Sequence, residues 1–181
     1  MDIERQREEY KDQKIMVSVI CPTYNHAPYI KKALDSILSQ NVDFPYEILV
    51  GNDCSPDNSR EILSDYEKKY PSLIKVYNRE RNLGPTKNGY DLYSRARGKY
   101  LITLELDDYW IDNDKLKKEF ERCDLTYNIG LKSILKNSNK KQKQKNFPVN
   151  GNQRKVLSRF IGAVHKLNVV LIVENEGKSD P

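Results

Sequence analysis

A chain of 181 residues, 31% of them charged and with a mean hydropathy of −0.79, is long enough for one domain but must concentrate its core in short segments. The formal charge of +5 is unevenly spread: residues 1–116 carry 17 Lys and Arg against 20 Asp and Glu, and residues 117–181 carry 14 against 6. These features disfavour a membrane-spanning protein, because the longest apolar stretch, Phe160–Val173, is broken by His165, Lys166 and Asn168 and falls short of the roughly 20 apolar residues a span needs.

Residues 1–14 (MDIERQREEYKDQK) form a charged extension without the apolar core of a signal peptide. Met16–Cys21 (MVSVIC) is a β-branched run ending at Pro22, apolar enough for a strand covered on both faces. Tyr29, Ile30, Ala33, Leu34, Ile37 and Leu38 then recur at helical spacing, with Pro28 in the first turn. Glu47–Val50 predicts a second strand, and Ile62, Leu63, Tyr66 and Tyr70 one face of a second helix stopped by Pro71. Leu73–Tyr77 predicts a third strand. A third helix is expected from about Lys87 to Arg97, with Gly98 as its C-terminal cap and Arg95 and Arg97 in its last turn. Tyr100–Leu106 predicts a fourth strand running into Asp107 and Asp108. Four strands alternating with three helices predict an α/β fold with a parallel sheet, in which ligands bind at the carboxyl ends of the strands. Each predicted strand ends in a polar or acidic cluster: PTYN, GNDCSPD, NRERN and ELDD.

Glu105-Leu106-Asp107-Asp108-Tyr109-Trp110 places three carboxylates within four residues. Such a cluster either holds a hard cation, magnesium or manganese, or is a solvated acidic turn. Asp53 either accepts the ring N–H of a nucleobase or caps a helix, although Asp57 or Ser59 offers a cap as well. Pro22-Thr23-Tyr24-Asn25 offers two small polar groups and an aromatic face, or a plain loop. Asn82-Leu83-Gly84-Pro85-Thr86-Lys87 opens the third helix with a glycine and a lysine suited to phosphate, but neither GxGxxG nor GxxxxGK[ST] is present. Cys21, Cys54 and Cys123 lack zinc-like spacing and read as reduced, mostly structural thiols of a cytosolic protein. His26 reads as a loop residue beside the pocket.

Taken in order, these motifs resemble family 2 glycosyltransferases of the GT-A (nucleotide-diphospho-sugar transferase-like, Rossmann-like) fold. VSVICPTYNHAPYIKKALDSILSQ is similar to the family's opening strand, turn and helix. EILVGNDCSPDNSREIL is similar to its second strand and nucleobase loop, and NLGPTKNGYDLYSRARGKYLITLELDDYW to its third helix and D-x-D-type metal strand. The resemblance implies sugar transfer from a nucleotide-diphospho-sugar, a UDP-sugar in the first instance, to a glycan or lipid-linked acceptor hydroxyl with inversion, in bacterial-type polysaccharide synthesis. It implies that Thr23 and Asp53 contact the nucleoside, with Pro22, Tyr24 and Asn25 nearby, and that Asn82, Gly84 and Lys87 line the donor pocket. Asp107 and Asp108 would hold the ribose and a Mg2+ or Mn2+ ion, supported by Glu105, where an aspartate is usual; Asn52 likewise replaces a frequent second aspartate. A cytoplasmic location, with peripheral association at the inner membrane face as a variant, follows from the same likeness.

The motifs define a nucleotide-sugar-binding domain over 15–118 and leave 119–181 as a basic, partly disordered tail. Lys136–Asn146 (KNSNKKQKQKN), lacking interleaved aromatics, reads as a solvated linker and not as a nucleic-acid surface. Two readings of the tail compete. In one the enzyme is truncated, a catalytically inactive donor-binding module without the acceptor half and general base. In the other Phe160–Val173 supplies a divergent helix and strand that complete the sheet. No general base is identified, and the sequence leaves the oligomeric state open.

Overall fold

The computed structural model describes residues 14–122 and 171–172. The elements run β1 (Val17–Thr23), α1 (Ala27–Leu38), β2 (Tyr46–Asn52), α2 (Ser59–Lys69), β3 (Ile74–Asn78), α3 (Pro85–Arg95), β4 (Tyr100–Thr103) and a two-residue β5 (Leu171–Ile172). Residues 115–122 are helical. The sheet order is β3-β2-β1-β4-β5; β1 to β4 are mutually parallel, and β5 lies antiparallel to β4, with Leu101 opposite Leu171. This is the expected α/β class. The predicted extension 1–13 and nearly all of the basic tail lie outside the described residues.

The alternation of side chains along the strands divides the core between two faces. Val17, Val19 and Cys21 of β1 and Ile48 and Val50 of β2 pack with Ile30, Leu34 and Ile37 of α1 and Leu63 of α2. Ile20 and Leu49 point the other way, onto Leu92 of α3. The α3 face requires close backbone approach: a Cβ at Gly51 would lie 2.5 Å from Asn88 Oδ1 and 3.0 Å from Leu92 Cδ1. Burial also explains the Cys21 thiol, whose pKa is pushed far above its ordinary value, leaving it inert.

Two boundaries differ from the sequence reading, each for an identifiable reason. α3 ends at Arg95, because the Arg97 N–H donates to Glu47 Oε1 (2.8 Å) and the Arg97 guanidinium to Glu47 Oε2 (2.7 and 2.9 Å), pulling the chain out of the helix. Gly98 is therefore no helix cap. It is needed because a Cβ there would lie 2.5 Å from Ser18 N, and its N–H donates to Ser18 Oγ. β4 ends at Thr103, earlier than expected. Leu104 N–H donates to the Ile20 carbonyl, so even-numbered residues of β1 face β4, and the next of them, Pro22, has no N–H to continue the ladder.

β3 is an outer strand, and the outward-facing N–H groups of its first and third residues are occupied. Ile74 N–H donates to the Tyr70 carbonyl (2.9 Å) and Val76 N–H to Glu67 Oε1 (3.0 Å).

Candidate functional site

The strand order reverses between β1 and β4, since β2 and β3 extend the sheet to one side of β1 and β4 to the other. The carboxyl ends of β1 and β4 flank that switch point, where open α/β sheets bind ligands, and Pro22 unzips the two strands just there. A cavity of about 250 Å³ occupies the position, lined by Pro22, Thr23, Tyr24, His26, Asp53, Asn82, Pro85, Asn88 and Glu105.

Each wall has an identifiable support. Thr23, the last residue of β1, is 3% exposed, and its Oγ1 is buried without a hydrogen-bond partner. A buried hydroxyl in that state costs roughly 1–3 kcal/mol unless something fills the site. Asp53 follows β2 and is also 3% exposed; its Oδ1 accepts from Leu83 N (2.7 Å) and its Oδ2 from Gly84 N (2.9 Å). The carboxylate thus ties the end of β2 to the N-terminus of α3, while spare lone pairs on both oxygens leave room for a further donor. Asn88, 1% exposed, donates to the Gly51 carbonyl (2.7 Å) and accepts from Arg79 Nε (3.0 Å), fixing the first turn of α3 over the same strand end.

The acidic segment after β4 is held from both sides. Leu106 and Trp110 are buried against the α1 face, and Trp110 N–H donates to Ser36 Oγ (3.0 Å). Further on, Gln40 grips the chain through Leu116 N–H and the Asp112 carbonyl (2.8 and 2.9 Å). Asp107, Asp108 and Tyr109 between these anchors are exposed, with Lys32 Nζ 3.5 Å over the Tyr109 ring. Asp107 Oδ2 lies 3.8 Å from His26 Nε2, and His26 Nδ1 is buried and unpartnered.

The structure therefore gathers six of the predicted residues, Pro22, Thr23, Tyr24, Asp53, Asn82 and Glu105, around one cavity. Asp107 stands beside its His26 wall, whereas Asn25, Gly84, Lys87 and Asp108 are not among the lining residues. His26, Pro85 and Asn88 complete the lining. Asn88 had a readable signal, a polar side chain one turn before Leu92 on the buried stripe of a helix; Pro85 had none. The acidic side chains meet the chemistry of a hard cation as a partial donor set. Among the described residues no three His, Cys, Asp or Glu side chains converge to enclose an ion, so the side chains alone do not complete a metal shell. No described helix is long and apolar enough to cross a membrane.

Comparison with known proteins places this geometry in a wider set. Residues 18–168 match the family model described as Glycosyl transferase family 2, beyond the last legible motif near residue 118. The Bacillus subtilis protein named as the teichuronic acid biosynthesis glycosyltransferase TuaG is 39% identical over 108 residues, covering 60% of this chain and 42% of TuaG. The crystal structure of Staphylococcus aureus TarS 1–349 in complex with UDP is 37% identical, with a TM-score of 0.51 over 57% of this chain and 30% of that one. The Pyrobaculum calidifontis mannosyltransferase PcManGT, solved with GDP-Man and Mn2+, shares the fold at 23% identity and a TM-score of 0.52, over 64% of this chain and 37% of that one. The matched segment spans between 31% and 42% of the length of the first curated relatives.

Proposed function

This chain belongs to glycosyl transferase family 2, and from that membership we propose that it binds a nucleotide-diphospho-sugar, in the first instance a UDP-sugar, for inverting transfer to an acceptor hydroxyl in bacterial polysaccharide synthesis. The observation that carries this reading is a cavity at the switch point of the sheet lined by Thr23, whose hydroxyl is buried without a partner, together with Asp53 and Glu105. At about 250 Å³ the cavity is slightly below the roughly 300–1,000 Å³ usual for small-molecule sites, which suits the nucleoside end of a donor whose diphosphate extends toward Asp107.

In this assignment Thr23 and Asp53 hold the base, Tyr24 offers its half-exposed ring as a wall, and Asn82 closes the edge beside α3. Gly84 and Lys87, at the start of α3, lie where a helix N-terminus favours an anion. Asp107 and Asp108, supported by Glu105, would hold Mg2+ or Mn2+, whose chemistry is to neutralise charge on the departing diphosphate. The likeness to TarS, solved with UDP, and to TuaG supports both the donor class and the polysaccharide setting.

Calorimetric titration of UDP with and without Mn2+ tests the assignment. Mn2+ should tighten UDP binding, and the double substitution Asp107→Asn/Asp108→Asn should abolish that enhancement. An unchanged Mn2+ enhancement in the double variant would remove these two residues from the site.

A further inference from the structure

Two residues other than glycine have positive φ among the described residues, Asn25 (60°) and Cys54 (61°), and each sits next to a cavity wall: Asn25 after Tyr24, Cys54 after Asp53. Asparagine tolerates the left-handed region, but cysteine seldom occupies it, and such conformations persist only where the surroundings over-determine them. The surroundings here converge on one residue, Ser55. Ser55 N–H donates to Asn52 Oδ1 (3.2 Å), closing the turn that contains Cys54, and Ser55 Oγ accepts from Asn25 N–H (3.0 Å). Asn52 Nδ2 in turn donates to Asn78 Oδ1 (2.8 Å). A continuous chain of three hydrogen bonds thus links the ends of β3, β2 and β1, with Ser55 joining the two strained turns. The amide at Asn52 suits this chain, because it both donates to Asn78 and accepts from Ser55, which a carboxylate cannot do.

We propose that Ser55 is a positioning residue of the donor site: its backbone N–H and its hydroxyl clasp the loops after β2 and β1, holding Tyr24 and Asp53 at the spacing a nucleotide needs. The inference rests on the donor-binding reading above. It adds a residue that does not line the cavity and acts by pre-ordering two that do, so that less conformational freedom is lost on binding. A second bridge between the same loops, Asp57 Oδ2 with Ala27 N–H (2.9 Å), keeps them folded when the hydroxyl is removed.

The test compares UDP binding in the presence of Mn2+ by the full chain, Ser55→Ala, Ser55→Thr and a control, Ser39→Ala, which loses hydroxyl contacts at the far end of α1. Ser55→Ala should weaken UDP binding about 3- to 10-fold, the size of one hydrogen bond's net contribution. Exchange of the Asn25 amide with deuterium should quicken, with the melting temperature close to the control's. Ser55→Thr should restore both affinity and protection. If the wild-type chain binds neither UDP nor GDP, the donor reading fails and takes this inference with it. If the wild type binds and Ser55→Ala loses no more affinity than Ser39→Ala, the clasp alone is refuted.

Discussion

Asp53→Asn changes one atom in a side chain whose two oxygens each hold a backbone N–H, at a position only 3% exposed. Asparagine keeps one acceptor and replaces the other with an NH2 group, which sets donor against donor. The two contacts are not equivalent. Gly84 N–H also reaches Asn82 Oδ1 at 2.9 Å, whereas Leu83 N–H makes the shorter contact to Asp53, at 2.7 Å. The amide should therefore turn its oxygen to Leu83 and its NH2 to Gly84, which keeps its link to Asn82. A hydrogen bond to a charged group contributes about 1.5–3 kcal/mol, and this partial rescue places the expected loss near the lower end, about 1.5–2 kcal/mol. Urea unfolding reads that loss directly. Because Asp53 is also assigned to the base, losing that charged acceptor, worth about the same 1.5–2 kcal/mol, should lower UDP affinity about 10- to 30-fold. Faster amide exchange at Leu83 and Gly84 would locate the cause. Unfolding free energy and UDP affinity both unchanged would show that the carboxylate neither holds the loop nor serves the site.

Gly51→Ala should destabilise the chain by about 1–3 kcal/mol in thermal melts, because its Cβ would meet Asn88 Oδ1 at 2.5 Å and force α3 off β2. The acid limb of stability should depend on Asp57 and Asp91. Burial pushes the Asp57 carboxyl up, but hydrogen bonds from Ser59 and Ala27 together outweigh it and hold its pKa below the usual value; Asp91 is held down first by Arg95 and then by Arg79. Groups depressed in the folded state contribute stability that is complete above the unfolded carboxylate pKa of about 3.9 and is lost as pH falls through the folded values. Melting temperatures of Asp57→Asn should therefore converge on those of the wild type at the acid end and lie below them at neutral pH. A constant offset at every pH would contradict that linkage.

Much of the architecture was legible because its signals are local. Near-continuous apolar runs such as Val17–Cys21 and Glu47–Val50 mark strands covered on both faces, and Ile30, Leu34 and Ile37 share one helical stripe. Where residues answer to distant partners the reading slipped. Gly98 looks like a helix cap in sequence, and only the contact with Ser18, 80 positions earlier, explains it. The early end of β4 depends on a proline in another strand. Asp53 was open between nucleobase acceptor and cap of the helix that follows it; α2 has Asn58 at its N-cap and no side-chain cap, and the carboxylate instead accepts from the Leu83 and Gly84 N–H groups ahead of α3, 30 and 31 positions away. Ser55 and Asn88 gave little warning, because a serine in a turn and an asparagine in a helix acquire meaning only from what they face.

The outer margin of the sheet has a further consequence. A bare strand edge is a template on which a second polypeptide can lay itself down, and parallel α/β sheets form late enough for that edge to meet other chains. On β3 the docking groups of two successive outward residues are already engaged, one by the carbonyl of Tyr70 and one by the carboxylate of Glu67. A carbonyl and a glutamate at the end of a neighbouring helix thus do the work usually left to lysines or bulges, and make crowding less dangerous for a domain whose interior is so rich in valine and isoleucine.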